Sequence, residues 1–181
     1  MKEKTLWITR TAVCAALLVV LQAVTASWGN TLITGSVVNL LLIVSVMTCG
    51  LSSGSCVAVL SPVLAKLIGI GPFWSLIPFI VAGNLSLVLI WHCAGNRQGR
   101  HPAAGKVAAL IAAAVAKFLV LYVGIVRIAV PIILRLSEPQ ATVVSNLFSF
   151  PQLITALAGG AAALCLLPLL QKAIAGGGRE N

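Results

Sequence analysis

The sequence predicts an all-α integral membrane protein, a single bundle of six transmembrane helices with its N- and C-termini on the cytoplasmic side. Three observations carry that expectation. Hydrophobic residues make up 60% of the chain, against roughly 45 to 50% in an ordinary soluble domain. Charged residues are only 8% of 181, and the mean hydropathy is +1.09. The apolar residues fall into runs of about 20, the length that spans a hydrocarbon core, separated by short Gly-, Pro- or polar-rich segments.

Six runs are expected, at about 9–24, 35–49, 55–70, 73–93, 104–126 and 148–172. The first follows Met1-Lys2-Glu3-Lys4 and reaches Val24 without a small-residue cleavage site, so it reads as a retained helix and not as a signal peptide. It contains Ala12 and Ala16, a small-x-x-x-small pair that lets helix backbones approach closely in lipid. The uncharged stretch Ala26 to Thr34, with Trp28 in it, is too irregular for a lipid-exposed helix and belongs at the external surface or in the mouth of the bundle. The second run carries Asn39 and ends in Gly50-Leu51-Ser52-Ser53-Gly54, a turn by composition. Pro62 and Lys66 lie in the third run, and Gly69 to Pro72 turns back toward the fourth, where Trp74, Pro78 and Asn84 stand. Asn96 to Pro102 is a basic loop. The stretch Ala103 to Leu134 exceeds one span, so it must tilt, bend near Pro131 or project outward. Ser137 to Ser145 is expected to be an external loop. The last run opens with Phe150-Pro151-Gln152 and continues through a narrow ridge of Ala156, Gly159, Gly160 and Ala163.

Charge placement sets the expected orientation. Lys2, Lys4 and Arg10, then Arg97, Arg100 and Lys106, then Lys172 and Arg179 all fall on one side of a six-span chain. Basic residues flanking membrane spans mark the cytoplasmic face, so the net charge of +9 is accounted for without a nucleic-acid partner. Cys14, Cys49, Cys56, Cys93 and Cys165 fall in the same half and show no C-x-x-C spacing. They read as free thiols packed as small hydrophobes, not as a metal or redox site.

The polar residues inside the runs are the candidate site. Lys117 and Arg127 have no acid nearby, because the only acidic residues are Glu3, Glu138 and Glu180. A cation at the centre of a membrane helix costs about 2.5 to 3.5 kcal/mol on insertion scales, so an unpaired one marks a place where an anionic or carbonyl-rich group comes to rest. Counting residues along each run puts Lys66, Lys117, Asn39, Asn84 and Gln152 in the outer half, while Ala, Leu, Val and Cys fill the inner half. That pattern fits a pocket open to the outside and closed to the cytoplasm. Each residue has a structural alternative: Lys66 or Arg127 snorkelling to the interface, Asn84 bonding a carbonyl freed by Pro78, Gln152 capping the last helix, and Trp28, Trp74 and Tyr122 forming an interfacial aromatic belt.

Catalytic signatures are missing. There is no G-x-x-x-x-G-K-[ST] loop, no H-E-x-x-H, no paired acids and no intramembrane carboxylate for a proton relay. No covalent catalysis, cofactor or metal site is expected, and a pocket of this kind needs a partner that supplies energy.

Five stretches carry a resemblance: Ala12 and Ala16; Leu32 to Asn39; Ile77 to Asn84; Ala116-Lys117-Phe118; and Phe150 to Ala156. In order and spacing the chain resembles the substrate-binding S component of energy-coupling factor (ECF) transporters, over nearly its whole length. The resemblance implies that the Ala12/Ala16 face docks a membrane-embedded coupling (T) subunit driven by two cytoplasmic ATPase subunits, in a bacterial cell membrane. It also implies an outward-facing pocket under the first external loop, lined by the outer parts of helices four to six, and a loaded subunit that topples in the bilayer. Members of that family take vitamins, metal ions and other micronutrients. A nickel or cobalt member would show His near its N-terminus, whereas His92 and His101 both lie on the inner side here. Lys117, Arg127 and Lys66 favour an organic solute bearing a carboxylate, a phosphate or several carbonyls, with Trp28, Trp74 and Tyr122 available to stack on a ring. The rival readings are a stand-alone carrier and a structural subunit whose polar groups only brace the bundle.

Overall fold

The structure is a computed structural model that describes residues 2–71, 73–95 and 102–177. Most of the expected basic loop after the fourth run, with Arg97, Arg100 and His101, and the tail with Arg179 and Glu180 lie outside the described residues. Among the described residues there are six long helices, one short one and no strand. Five of the helical stretches are long and apolar enough to cross a membrane. The architecture is therefore that of an all-α, multi-pass membrane protein.

The first helix, α1 (Lys2–Ala26), begins well before Thr9, because the charged Lys2-Glu3-Lys4 continues the helix instead of preceding it. α2 (Thr31–Cys49) also starts earlier than the apolar run suggests. The reason is Asn30, whose Oδ1 accepts from the backbone N–H groups of Leu32 and Ile33 at 3.0 and 3.3 Å, satisfying donors that a helix start leaves unpaired. Gly50 alone separates α2 from α3 (Leu51–Leu67), so the expected five-residue turn reduces to one residue. Its φ of +87° is open to glycine at little steric cost.

A 3₁₀ turn at Trp74–Leu76 leads into α4 (Ile77–Gly95), with Pro78 in the first turn where its missing N–H costs nothing. Next comes α5 (Pro102–Leu121), which runs on as a π-helical stretch, Tyr122–Leu134. The helix thus runs past the expected end near Val126 and carries Pro131 inside its π-helical part, whose wider turns ease the clash that a proline makes in an α-helix. The expected external loop after Ser137 is a short helix, α6 (Glu138–Leu147). Ser137 at its N-cap, Glu138 in its first turn and Pro139 beside it are all helix-start residues. α7 (Phe150–Gly177) completes the fold.

The largest helix interfaces are α2 with α7 and α4 with α5. Small residues make the first one close. A Cβ on Gly159 would meet the Ser36 carbonyl oxygen and stand 2.8 Å from Asn39 Cβ, and one on Gly35 would stand 2.9 Å from Thr155. In lipid, where apolar surface gains little from burial, such close backbone contact is what holds helices together.

Two apolar clusters follow. One, built on Leu42, Val57, Leu87, Trp91, Ala113 and Leu167, fills the bundle toward the Gly50 end. The other, with Leu76, Leu121, Ile125, Val144 and Phe148, packs α6 and the π-helical stretch near the opposite end. The Gly50 end is not wholly dry, since Thr11 donates to Ser53 Oγ at 2.8 Å and Trp7 Nε1 donates to Ser52 Oγ at 3.0 Å.

Candidate functional site

Beneath the α1–α2 and α3–α4 connections lies a cavity of about 290 Å³. Lys117, on α5, is 4% exposed and stands in its lining. Nζ donates to Asn39 Oδ1 of α2 at 2.6 Å and to Asn84 Oδ1 of α4 at 2.7 Å. Asn39 lies eight residues into α2 and Asn84 seven into α4, which places the ammonium roughly 10 to 12 Å below the helix starts. Asn39 is therefore about two turns deep, not one, because α2 begins at Thr31.

The two amides cannot turn freely. Asn39 Nδ2 donates to Thr155 Oγ1 at 3.3 Å, and Thr155 in turn donates to the Gln152 carbonyl at 3.1 Å. Asn84 Nδ2 donates to the Ala58 carbonyl at 3.4 Å. One N–H of each amide is engaged elsewhere, which turns both oxygens toward Lys117. Ala58 is available because Pro62, four residues on, has no N–H with which to close the helical bond. The proline that frees the carbonyl is thus Pro62 and not Pro78.

Charge-assisted bonds to two carbonyl oxygens offset part of the cost of burying the ammonium but leave its charge uncompensated. Among the described residues, α2, α3, α4, α5 and α7 contain no acidic residue. An ammonium has three donors; two are used, and the third has no protein partner among the described residues.

Gln152 also lines the cavity, and its Nε2 donates to the Leu147 carbonyl at 3.1 Å, tying the end of α6 to α7. Lys117, Asn39, Asn84 and Gln152 are thus brought together, while the other four candidates stand outside the lining. Lys66 is half-buried in the last turn of α3. Arg127 is exposed and sits 5.5 Å from the centre of the Tyr122 ring, a cation–π pairing. Tyr122 stacks on Phe118 at 5.7 Å. Trp28 is 63% exposed, projecting from the rim between the lining residues Ala26 and Gly29. Ala12 and Ala16 are exposed on α1, well away from the cavity lining.

Sequence reasoning missed Gln22, Asn30 and Ser61 in the lining. Each had a signal: a lone amide in an apolar run, an Asn ahead of a helix, and a Ser next to an intrahelical proline. A second cavity, of about 390 Å³, lies beside the first and shares Thr31, Gly71, Phe148 and Gln152 with it. Among the described residues no group of three or more His, Cys, Asp and Glu is placed to hold a metal ion. Comparison of the chain with protein-family models, with curated proteins and with solved structures finds no match.

Proposed function

We propose that this chain is the solute-binding membrane subunit of an ATP-driven importer of the ECF kind, capturing a vitamin-like organic micronutrient in the cavity around Lys117. In this reading both termini are cytoplasmic, the cavity faces outward and the membrane is that of a bacterial cell. The coupling subunit docks on the Ala12/Ala16 face, and two cytoplasmic ATPase subunits drive release. The chain itself makes and breaks no covalent bond.

One observation carries the reading: a buried, uncompensated ammonium with an uncommitted donor lines a cavity at one end of the bundle, while apolar side chains close the other end. That arrangement suits capture from one side and does not provide a continuous polar path. The exposure of Ala12 and Ala16 leaves the α1 face free for a partner.

Native mass spectrometry of the gently purified subunit tests this directly. The expected result is a co-purifying small organic molecule that is lost in Lys117→Ala. If the network only braces the bundle, the subunit comes out empty, stays empty after incubation with a micronutrient mixture, and Lys117→Ala changes stability alone.

A further inference from the structure

Resting on that reading, the cavity chemistry narrows what its occupant can be. Among the described residues Lys117 is the one cation that lines it, since Lys66 and Arg127 do not. Two of its donors are held by amide oxygens, and one N–H of each amide is drawn the other way, to Thr155 and to the Ala58 carbonyl, so the amides turn oxygen and not N–H toward the ammonium. On the side that the amide oxygens face, an anion finds the third ammonium N–H and whatever hydroxyls face the cavity.

Ser61 supplies such a hydroxyl. It is 4% exposed and lines the cavity. Several helical serines and threonines in this chain bond to carbonyls three or four residues back, as Thr25 does to Leu21 at 2.8 Å and Ser36 to Leu32 at 2.8 Å. Ser61 makes no such bond among the described residues, and the Ala58 carbonyl three residues back already accepts from Asn84. The residue is buried in the bundle but its hydroxyl is not enclosed by protein, so it opens on the cavity and is free to bond what enters. On α1, Gln22 lines the same cavity, and its Oε1 is buried with no hydrogen-bond donor. Val38, Pro62, Ile77, Ile80 and Leu121 make the apolar part of the wall, and Asn30, Thr31, Thr34 and Gln152 add further polar groups.

We infer that the cavity takes a monocarboxylate that also carries an uncharged N–H or O–H group, its carboxylate held by Lys117 and Ser61 and its donor turned to Gln22. Two donors match two carboxylate oxygens. A phosphate monoester brings a second charge and a third oxygen, with no second cation to meet them and with the Asn39 and Asn84 oxygens pointed at the same place. In a low-dielectric interior that excess charge is strongly disfavoured.

The test incubates the full-length subunit with a small-molecule extract of its host cell, and in parallel with the same extract after its carboxyl groups have been converted to methyl esters. Retained species are identified by native and tandem mass spectrometry. The expected species has a single carboxyl group and at least one other N–H or O–H, is retained only from the untreated extract, and is held about tenfold more weakly by Ser61→Ala and by Gln22→Leu, the effect of one ligand hydrogen bond apiece. A species retained equally from both extracts, or one carrying phosphate, overturns this inference and leaves solute binding standing. Nothing retained from either extract overturns both. Ser61→Ala and Gln22→Leu are each expected to melt within a few degrees of the parent, so a weakened hold reports on the site and not on folding.

Discussion

Asn84 occupies at the Ala58 carbonyl the place that Pro62 leaves empty, its Nδ2 lying 3.4 Å from that oxygen. The same amide holds Lys117 Nζ at 2.7 Å on its other side. A proline inside α3 thus fixes the orientation of a side chain on α4, and through it the position of a buried charge on α5.

Pro62→Ala separates the two roles of that proline. A helix-interior proline costs about 3 kcal/mol relative to alanine in a soluble host, so the variant is expected to melt no lower than the parent. With an N–H restored at position 62, the Ala58 carbonyl no longer needs Asn84, and the amide loses its anchor. Retention of the bound solute should fall on the order of tenfold, about one hydrogen bond's worth. Unchanged retention would show that the amide keeps its orientation by other means.

Lys117→Met is expected to empty the cavity and also to destabilise the bundle, because Asn39 and Asn84 would each keep a buried oxygen without a donor. Each such group costs about 1 to 3 kcal/mol. Adding Asn39→Leu and Asn84→Leu should recover much of that stability while binding stays lost. Scanning fluorimetry of the three proteins, paired with ligand retention, distinguishes a charge kept for a ligand from one kept for bracing. Full retention in Lys117→Met would remove the ammonium from the site.

The α2–α7 contact gives a packing prediction. In Gly159→Ala the new methyl meets the Ser36 carbonyl and comes within 2.9 Å of the Leu40 amide nitrogen, both backbone groups that cannot swing away. Overpacking of this kind typically costs about 1 to 3 kcal/mol. It should also part Asn39 from Thr155, so thermal stability and solute retention fall together. Gly105→Ala is the control, since no heavy atom outside its own helical neighbourhood lies within 4 Å of its added methyl, and it should be neutral or stabilising by about 0.5 to 1 kcal/mol.

The helical architecture and the centre of the site were legible because membrane helices are apolar by necessity. Lys117, Asn39 and Asn84 therefore stood out against their surroundings. What single positions could not reveal was helical phase. Tyr122 lies five residues beyond Lys117, about 140° around an ideal helix, and the π register that starts there shifts the phase of Arg127 again. Both were close to Lys117 in sequence and do not line the cavity. Ser61 and Gln22 escaped notice for the converse reason: beside a lysine, the signals they gave, a serine next to a proline and a lone amide in an apolar run, are weak, and their lack of partners is visible only once the neighbouring helices are in place. The Asn30 cap and the Ser-Glu-Pro start of α6 were readable local signals, outweighed by the polar composition of the segments around them.

The Ala12/Ala16 face carries a prediction about assembly. Both residues are exposed, on a helix that also exposes Val13, Leu17 and Val20. Leucine at either position meets no side chain within this chain's core, so folding and solute retention should be unaffected. If that face seats a coupling subunit, Ala12→Leu and Ala16→Leu should abolish its co-purification and stop uptake by cells. Loss of solute retention with normal complex formation would place the interface elsewhere.

Orientation in the membrane can be read from two single-cysteine reporters placed in a background whose five cysteines are changed to alanine. Ser27 is exposed in the α1–α2 connection, at the cavity end, and Lys172 is exposed near the other end of α7. A membrane-impermeant maleimide added to intact cells should label Ser27→Cys at once and reach Lys172→Cys only after permeabilisation. The physical basis is the clustering of lysine and arginine at the Lys172 end, which resists translocation. The reverse pattern would turn the cavity toward the cytoplasm. A solute captured from inside the cell would then be the subject of export or sensing, and the importer reading would fail even with Lys117 and its ligand in place.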